Sequence, residues 1–220
     1  MFRLPNSSSR VSISGSTGSG KTRFGIWLFG TCSDFKVRPH VIIDYKGDDL
    51  IQQIEGANEI SLSDKVKHAG LYIVRPKPND EIEPFLEQIY ERGNAGLFFD
   101  EGYMIDKFSP MFNAILTQGR SLKIPAMVLT QRPTFCSRFI FSEASYAAVF
   151  RFNDARDALT ASAFVDKTSP VFDFRKRLPE FHCRWYDAAQ DYSCVLKPVP
   201  DDQEILDIFA SKLKVKHRGI

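Results

Sequence analysis

Gly15-Ser16-Thr17-Gly18-Ser19-Gly20-Lys21-Thr22 matches the pattern G-x-x-x-x-G-K-[ST] at every fixed position. Just upstream, Val11-Ser12-Ile13-Ser14 reads as a short strand; just downstream, Arg23-Phe24-Gly25-Ile26-Trp27-Leu28-Phe29 reads as the first turns of a helix. Strand, glycine loop and helix in that order make a phosphate cradle. The loop must curl its backbone N–H groups around phosphate oxygens, and a Cβ at several positions would block the dihedrals this requires. Gly15 and Gly20 are therefore geometric, with Ser16, Thr17, Gly18 and Ser19 completing the loop. The helix that follows aims its partly positive N-terminus at the anion, Lys21 reaches the β- and γ-phosphates, and the Thr22 hydroxyl is a ligand for Mg²⁺. ATP with Mg²⁺ is the expected occupant.

Beyond this stretch the chain alternates buried strands with helices. Pro39-His40-Val41-Ile42-Ile43-Asp44, Gly70-Leu71-Tyr72-Ile73-Val74, Ala95-Gly96-Leu97-Phe98-Phe99-Asp100, residues 124–130 and residues 146–152 are apolar runs of the kind found in a parallel sheet covered on both faces. Helices are expected over about 47–54, 80–92, 109–121 and 153–164, the last with Asn153 as N-cap. In the second of these Ile82, Phe85, Leu86 and Ile89 fall on one helical face and read as core. Residues 181–186 and 192–196 read as an antiparallel hairpin added after the core, and a helix over about 201–213 follows. The expected fold is α/β: a RecA-like P-loop NTPase core with a mostly parallel twisted sheet flanked by helices, then a small C-terminal β-hairpin and helix. As a single ATPase domain over 1–220, the core spans about 10–165 and the C-terminal addition about 166–220.

Two strand ends carry further chemistry. Phe99-Asp100-Glu101 delivers an acid suited to completing the metal site held by Thr22, followed by a carboxylate able to deprotonate a water. Thr130-Gln131 ends the strand expected beside it, and the Gln131 amide is placed to hydrogen-bond the attacking water or the γ-phosphate.

Composition bounds the partners rather than naming them. Lys+Arg 29 against Asp+Glu 27 leaves a net charge of +2, so a nucleic-acid surface has to be a local patch. Arg175-Lys176-Arg177 and the segment from Lys212 to Arg218 are the basic candidates. Cys32, Cys136, Cys183 and Cys194 show no C-x-x-C spacing and read as reduced cytosolic thiols. No apolar run approaches the roughly 18 residues that span a bilayer, and residues 1–5 carry no signal-peptide core, so a soluble intracellular protein is expected.

Four segments in order, residues 15–22, Ile43-Asp44-Tyr45-Lys46-Gly47, Phe99-Asp100-Glu101 and Thr130-Gln131-Arg132-Pro133 with Gly119-Arg120 upstream, resemble the FtsK/HerA superfamily of DNA-translocating ATPases. The size of the chain makes it most similar to the genome-packaging ATPases of tailless, internal-membrane viruses with double-jelly-roll capsids. The resemblance implies that Lys21 and Thr22 bind phosphate and Mg²⁺, Asp100 completes the metal site, Glu101 is the catalytic base and Gln131 the γ-phosphate sensor. It also implies an arginine finger acting on a neighbour's nucleotide, for which Arg120 is the candidate and Arg151 and Arg75 the reserves. The implied partners are double-stranded DNA gripped by its backbone, a ring of copies of the chain, most simply a hexamer, and capsid-vertex or viral membrane proteins. The implied location is the host cytoplasm or a virion vertex. Asp44 and Lys46 are left either to orient the Mg²⁺ shell or to pair with each other. A filamentous-phage-type assembly ATPase, a P-loop small-molecule kinase and a non-catalytic nucleotide switch are the competing readings.

Overall fold

Strands that must bury both faces need helices on both sides, and the computed structural model, which describes residues 3–6, 8–165, 169–173 and 176–213, has that arrangement. In chain order the elements are β1 (Val11–Ser14), α1 (Lys21–Cys32), β2 (Pro39–Asp44), α2 (Asp49–Gln52), β3 (Asn58–Ile60), β4 (Gly70–Val74), α3 (Glu83–Arg92) and β5 (Gly96–Asp100). They continue as α4 (Pro110–Gln118), β6 (Ala126–Thr130), α5 (Phe139–Ser142), β7 (Tyr146–Val149), α6 (Ala155–Ser162), β8 (Cys183–Asp187), β9 (Tyr192–Leu196) and α7 (Asp202–Leu213). The strands form one sheet in the order β3-β4-β2-β5-β6-β1-β7-β8-β9. From β3 to β7 every pairing is parallel; β8 and β9 are antiparallel.

Side chains alternate across this sheet with the period of two that strand geometry imposes. Ile42, Phe98, Met127 and Leu129 meet Phe24, Leu28 and Phe29 of α1 and Ile205 and Phe209 of α7 on one face. Val41, Ile43, Leu97, Phe99 and Val128 meet Phe85, Leu86 and Ile89 of α3 and Phe112, Ile115 and Leu116 of α4 on the other. The four residues 82, 85, 86 and 89 expected on one helical face are all buried there.

Several boundaries differ from the sequence reading. The expected helix over 80–92 starts at Glu83, because Pro84 has no N–H to give an interior hydrogen bond and belongs in a first turn. The expected helix over 109–121 runs from Pro110 with Ser109 as its cap, the hydroxyl accepting from the Phe112 N–H. Asn153 is not the N-cap of α6: Asp154 is, its carboxylate accepting from the N–H groups of Arg156 and Asp157. The strand expected over 146–152 stops at Val149, since Phe150 and Arg151 turn toward the phosphate loop: the Phe150 N–H donates to Ser14 O at 2.8 Å and Arg151 O accepts from the Ser16 N–H at 3.0 Å. The polar edge strand β3 and the single-turn helix α5 are too short to show a period.

The C-terminal segment is joined to the core more tightly than the sequence reading has it. β8 pairs with β7 from Tyr146 opposite Asp187 to Val149 opposite Arg184, so the hairpin extends the sheet itself. Trp185 on β8 is fully buried, and Phe209 on α7 lies against α1 so closely that a Cβ on Gly30 would come within 2.6 Å of its ring. Among the described residues no helix is long and apolar enough to cross a membrane.

Candidate functional site

The parallel register brings the motif residues to one rim. Asp44 sits beside Asp100 across β2 and β5, and Ser14 sits beside Thr130 across β1 and β6. The phosphate loop leaves β1, the Asp100-Glu101 pair leaves β5 and Gln131 leaves β6, the strand between them. This is the carboxyl-end position at which open α/β sheets bind ligands. The loop is anchored on both sides: the Gly15 N–H donates to Thr130 O at 3.2 Å and the Asn153 N–H to Ser16 Oγ at 2.9 Å. Gly15 has no room for a side chain, since a Cβ would lie 2.5 Å from that of Phe150, and Gly20 has φ 94°, a left-handed conformation that favours glycine.

Inside the loop the charges are concentrated and buried. Lys21 Nζ is 3.2 Å from Glu101 Oε1, and the Lys46 ammonium contacts the same oxygen. The Thr22 hydroxyl donates to Asp100 Oδ1 at 3.4 Å. The Gln131 N–H donates to Glu101 Oε2 at 3.3 Å, its side-chain amide donates to Tyr103 Oη at 3.2 Å, and its carbonyl accepts from the Thr17 hydroxyl. All five sequence-derived residues Lys21, Thr22, Asp100, Glu101 and Gln131 thus join one network with the loop. Glu101 is fully buried at φ 66°, ψ 66°, a left-handed backbone that costs a non-glycine residue about 1–2 kcal/mol. Backbone strain of this kind in a packed structure is characteristic of functional positions.

Burial pushes the Asp100 carboxyl up to about 7, the carboxylates of Glu101, Asp44 and Asp48 add to it, and the Lys46 ammonium opposes it. Burial likewise lowers Lys21, against the attraction of Glu101. Asp100 Oδ2 is buried with no hydrogen-bond partner among the described residues, while Oδ1 of the same carboxyl accepts from the Thr22 hydroxyl. Two protein oxygens, one an unsatisfied carboxylate held among other acids, suit a divalent cation that takes its remaining ligands from phosphate and water. A cavity of about 390 Å³ opens over these groups; Thr17, Gly18, Lys21, Thr22, Lys46 and Asp48 line it along the loop, and Phe181, Pro198 and Val199 close it from the C-terminal segment.

Over 217 residues the chain is 38% identical to the DNA packaging ATPase P9 of Enterobacteria phage PRD1, an alignment covering 94% of this chain and 95% of that protein. The chain belongs to that family. No protein-family model matches it. Among solved structures, the genome packaging NTPase B204 of Sulfolobus turreted icosahedral virus 2, in complex with ATP-gammaS, superposes with a TM-score of 0.70 at 20% identity, over 89% of this chain and 100% of that one. EssC (ATPases 2 and 3) from Geobacillus thermodenitrificans gives 0.61 at 15% identity, over 94% of this chain and 43% of that one. At these identities the two structures establish a shared P-loop fold. The alignment thus reaches the genome-packaging ATPases, the group within the FtsK/HerA superfamily that the size of the chain pointed to.

The three arginine-finger candidates of this packaging-ATPase-family chain lie in different places. Arg120 is exposed in the turn between α4 and β6, at the amino-terminal rim of the sheet beside Arg10, so it cannot reach the phosphate loop of its own chain. Arg75 is committed within the chain: its Nε donates to Asp44 Oδ2 at 3.2 Å and a terminal nitrogen to Glu59 at 2.6 Å. Arg151 supports the loop through its carbonyl, while its side chain lines a separate cavity of about 610 Å³ with Lys176 and Arg177. Asp44 and Lys46 do not pair. Asp44 accepts from the Gly47 and Asp48 N–H groups at 2.8 and 3.2 Å and from Arg75, whereas Lys46 goes to Glu101. The partnership of Lys46 with Glu101, the Tyr103 contact and the wall of Phe181, Pro198 and Val199 escape sequence reasoning. Only Lys46 had a local signal, its position just past a strand end. Arg175 and residues 214–220 of the basic candidates lie outside the described residues.

Proposed function

We propose that the chain is a single ATPase domain that hydrolyses ATP to drive double-stranded DNA into a viral capsid. The observation that carries this reading is the convergence of Lys21, Thr22, Asp100, Glu101 and Gln131 on one network of contacts at the phosphate loop, beside the cavity that Lys21 and Thr22 line. The loop amides and Lys21 bind the triphosphate, drawing Lys21 away from Glu101. Thr22 and Asp100 hold Mg²⁺, which when bound neutralises charge on the β- and γ-phosphates. Glu101 accepts a proton from the attacking water, and Gln131, tied to the loop, Tyr103 and Glu101, orients that water and registers the γ-phosphate.

Arg120, unable to serve its own site, serves the next subunit of a ring, most simply a hexamer, where a planar and permanently charged donor stabilises the transferring phosphoryl group. DNA is gripped through its phosphates, since a motor that must pass any sequence gains nothing from base readout. Lys176 and Arg177 are exposed and available for that grip. The ring works in the host cytoplasm and docks at a virion vertex, against capsid or viral membrane proteins. The test is ATP hydrolysis with and without double-stranded DNA, for the native chain and Glu101→Gln. Stimulation by DNA that the substitution removes supports the motor; phosphate transfer to a small molecule without DNA would show a kinase instead.

A further inference from the structure

The C-terminal segment, to which the motifs assign nothing, forms one end of the nucleotide cavity. Phe181 precedes β8, and Pro198 and Val199 follow β9. The hairpin that joins them is fixed to the sheet by the pairing of β8 with β7, and α7 behind it is tied to α1 by Phe209 against Gly30 and by the Arg23–Asp202 ion pair at 2.7 Å. These three residues therefore face the loop from a rigid frame.

Phe181 is the unusual member. The residue is 51% exposed although the surrounding sheet buries Cys183 and Trp185 almost completely. Its backbone is left-handed at φ 58°, which a bulky residue adopts at a cost of about 1–2 kcal/mol. The conformation turns the ring toward the phosphate loop, where its Cδ1 is 3.1 Å from the position a Cβ on Gly20 would take. An exposed aromatic held in a strained backbone against the loop has no packing reason to be there.

The cavity is chemically two-ended. Lys21, Lys46 and Thr22 with the loop N–H groups make a polar end sized for phosphates, and Phe181, Pro198 and Val199 make an apolar end. A nucleoside triphosphate has the same division, with charge at one end and an aromatic ring at the other. We infer that Phe181, with Pro198 and Val199 as side walls, is the platform on which the nucleobase stacks, so that the C-terminal hairpin supplies the base-binding half of the ATP site.

This rests on the nucleotide reading above, and the experiment separates the two. The native full-length chain, Phe181→Ala and Phe181→Trp are titrated with ATP and, in parallel, with inorganic tripolyphosphate, which carries the phosphates without the base. Stacking of one base is worth about 1–3 kcal/mol, so Phe181→Ala is expected to weaken ATP about tenfold or more and to leave tripolyphosphate unchanged. Phe181→Trp is expected to keep ATP affinity and to add an ATP-dependent fluorescence quench that the native chain, with Trp27 and Trp185, lacks. Equal weakening of ATP and tripolyphosphate by Phe181→Ala overturns the inference, because Phe181 would then only brace the loop at Gly20; unchanged ATP affinity overturns it as well. Loss of both ligands by the native chain would instead remove the nucleotide reading itself, and the inference with it.

Discussion

The two rims of the sheet treat buried charge in opposite ways. At the carboxyl rim Lys21, Asp100 and Glu101 are buried together, one carboxyl pushed up to about 7 and one of its oxygens without a partner among the described residues. At the amino rim His40 is kept neutral, although its buried Nε2 has no partner among the described residues, and Arg38 and Arg10 reach backbone carbonyls, Arg10 also pairing with Glu143. His40, edge-on to Phe29 and Phe35, is held down at about 4 by burial with Arg38 adding to the effect, and its Nδ1 faces Arg38 O at 3.1 Å. Arg38 reaches Lys123 O at 3.2 Å. Buried charge is costly unless pairing offsets it, and a group kept neutral avoids that cost. The carboxyl rim thus concentrates buried charge of both signs, as the proposed nucleotide and metal site requires, while the amino rim supports the fold and leaves Arg120 exposed.

If the rims divide labour this way, substitutions should separate by readout. The largest effect is expected at the amino rim's exception: Arg120→Ala should lower the rate of ATP hydrolysis about 10³-fold or more with folding intact. Mixing it with Lys21→Ala subunits should restore some activity, because one partner supplies the finger and the other the nucleotide; absence of any recovery, with mixed rings verified, sinks the trans assignment. Next, Glu101→Gln should cost about 10²- to 10⁴-fold in kcat while ATP still binds, measured by hydrolysis alongside equilibrium binding. A variant that lost binding and rate together would make Glu101 a structural member of the rim.

His40 reports the other rim through stability. Its folded value lies below its ordinary one of 6.5, so the unfolded chain takes up the proton first. Stability contributed by neutral His40 is present above about pH 6.5 and lost as pH falls toward about 4, up to about 3 kcal/mol in all. Urea unfolding across this range should show His40→Gln with a flatter acid limb than the native chain; identical slopes would mean the imidazole is not what titrates. The smallest effect is expected at Gly30→Ala, where a methyl group must displace the Phe209 ring, at about 1–3 kcal/mol. Thermal melting with and without ATP would show whether loosening α7 from α1 also reduces the stabilisation that the nucleotide provides.

How much of this was legible depends on how far apart the cooperating residues lie. The phosphate loop is eight consecutive residues, and Asp100, Glu101 and Gln131 each end an apolar strand, so a run of neighbours identifies them. Strands buried on both faces show as short continuous apolar runs and amphipathic helices by their period, so the α/β alternation is legible directly. Asn153 and Asp154, adjacent in the chain, offer the same capping chemistry, and only the hydrogen bonds of the folded chain distinguish them.

What the sequence determined alone is the set of parts: a phosphate cradle, a metal-ready acid with a base after it, an amide on the adjoining strand, and a sheet to hold them, since each is specified by residues close in the chain. Tertiary structure alone decided the partners: Lys46 on Glu101, Arg75 on Asp44, Arg120 facing away from its own site, and Phe181 brought from more than a hundred positions downstream to the edge of Gly20. Strand order and helix docking fix those distances through the packing of the whole core, and no local pattern of side chains encodes which distant residue that packing will deliver.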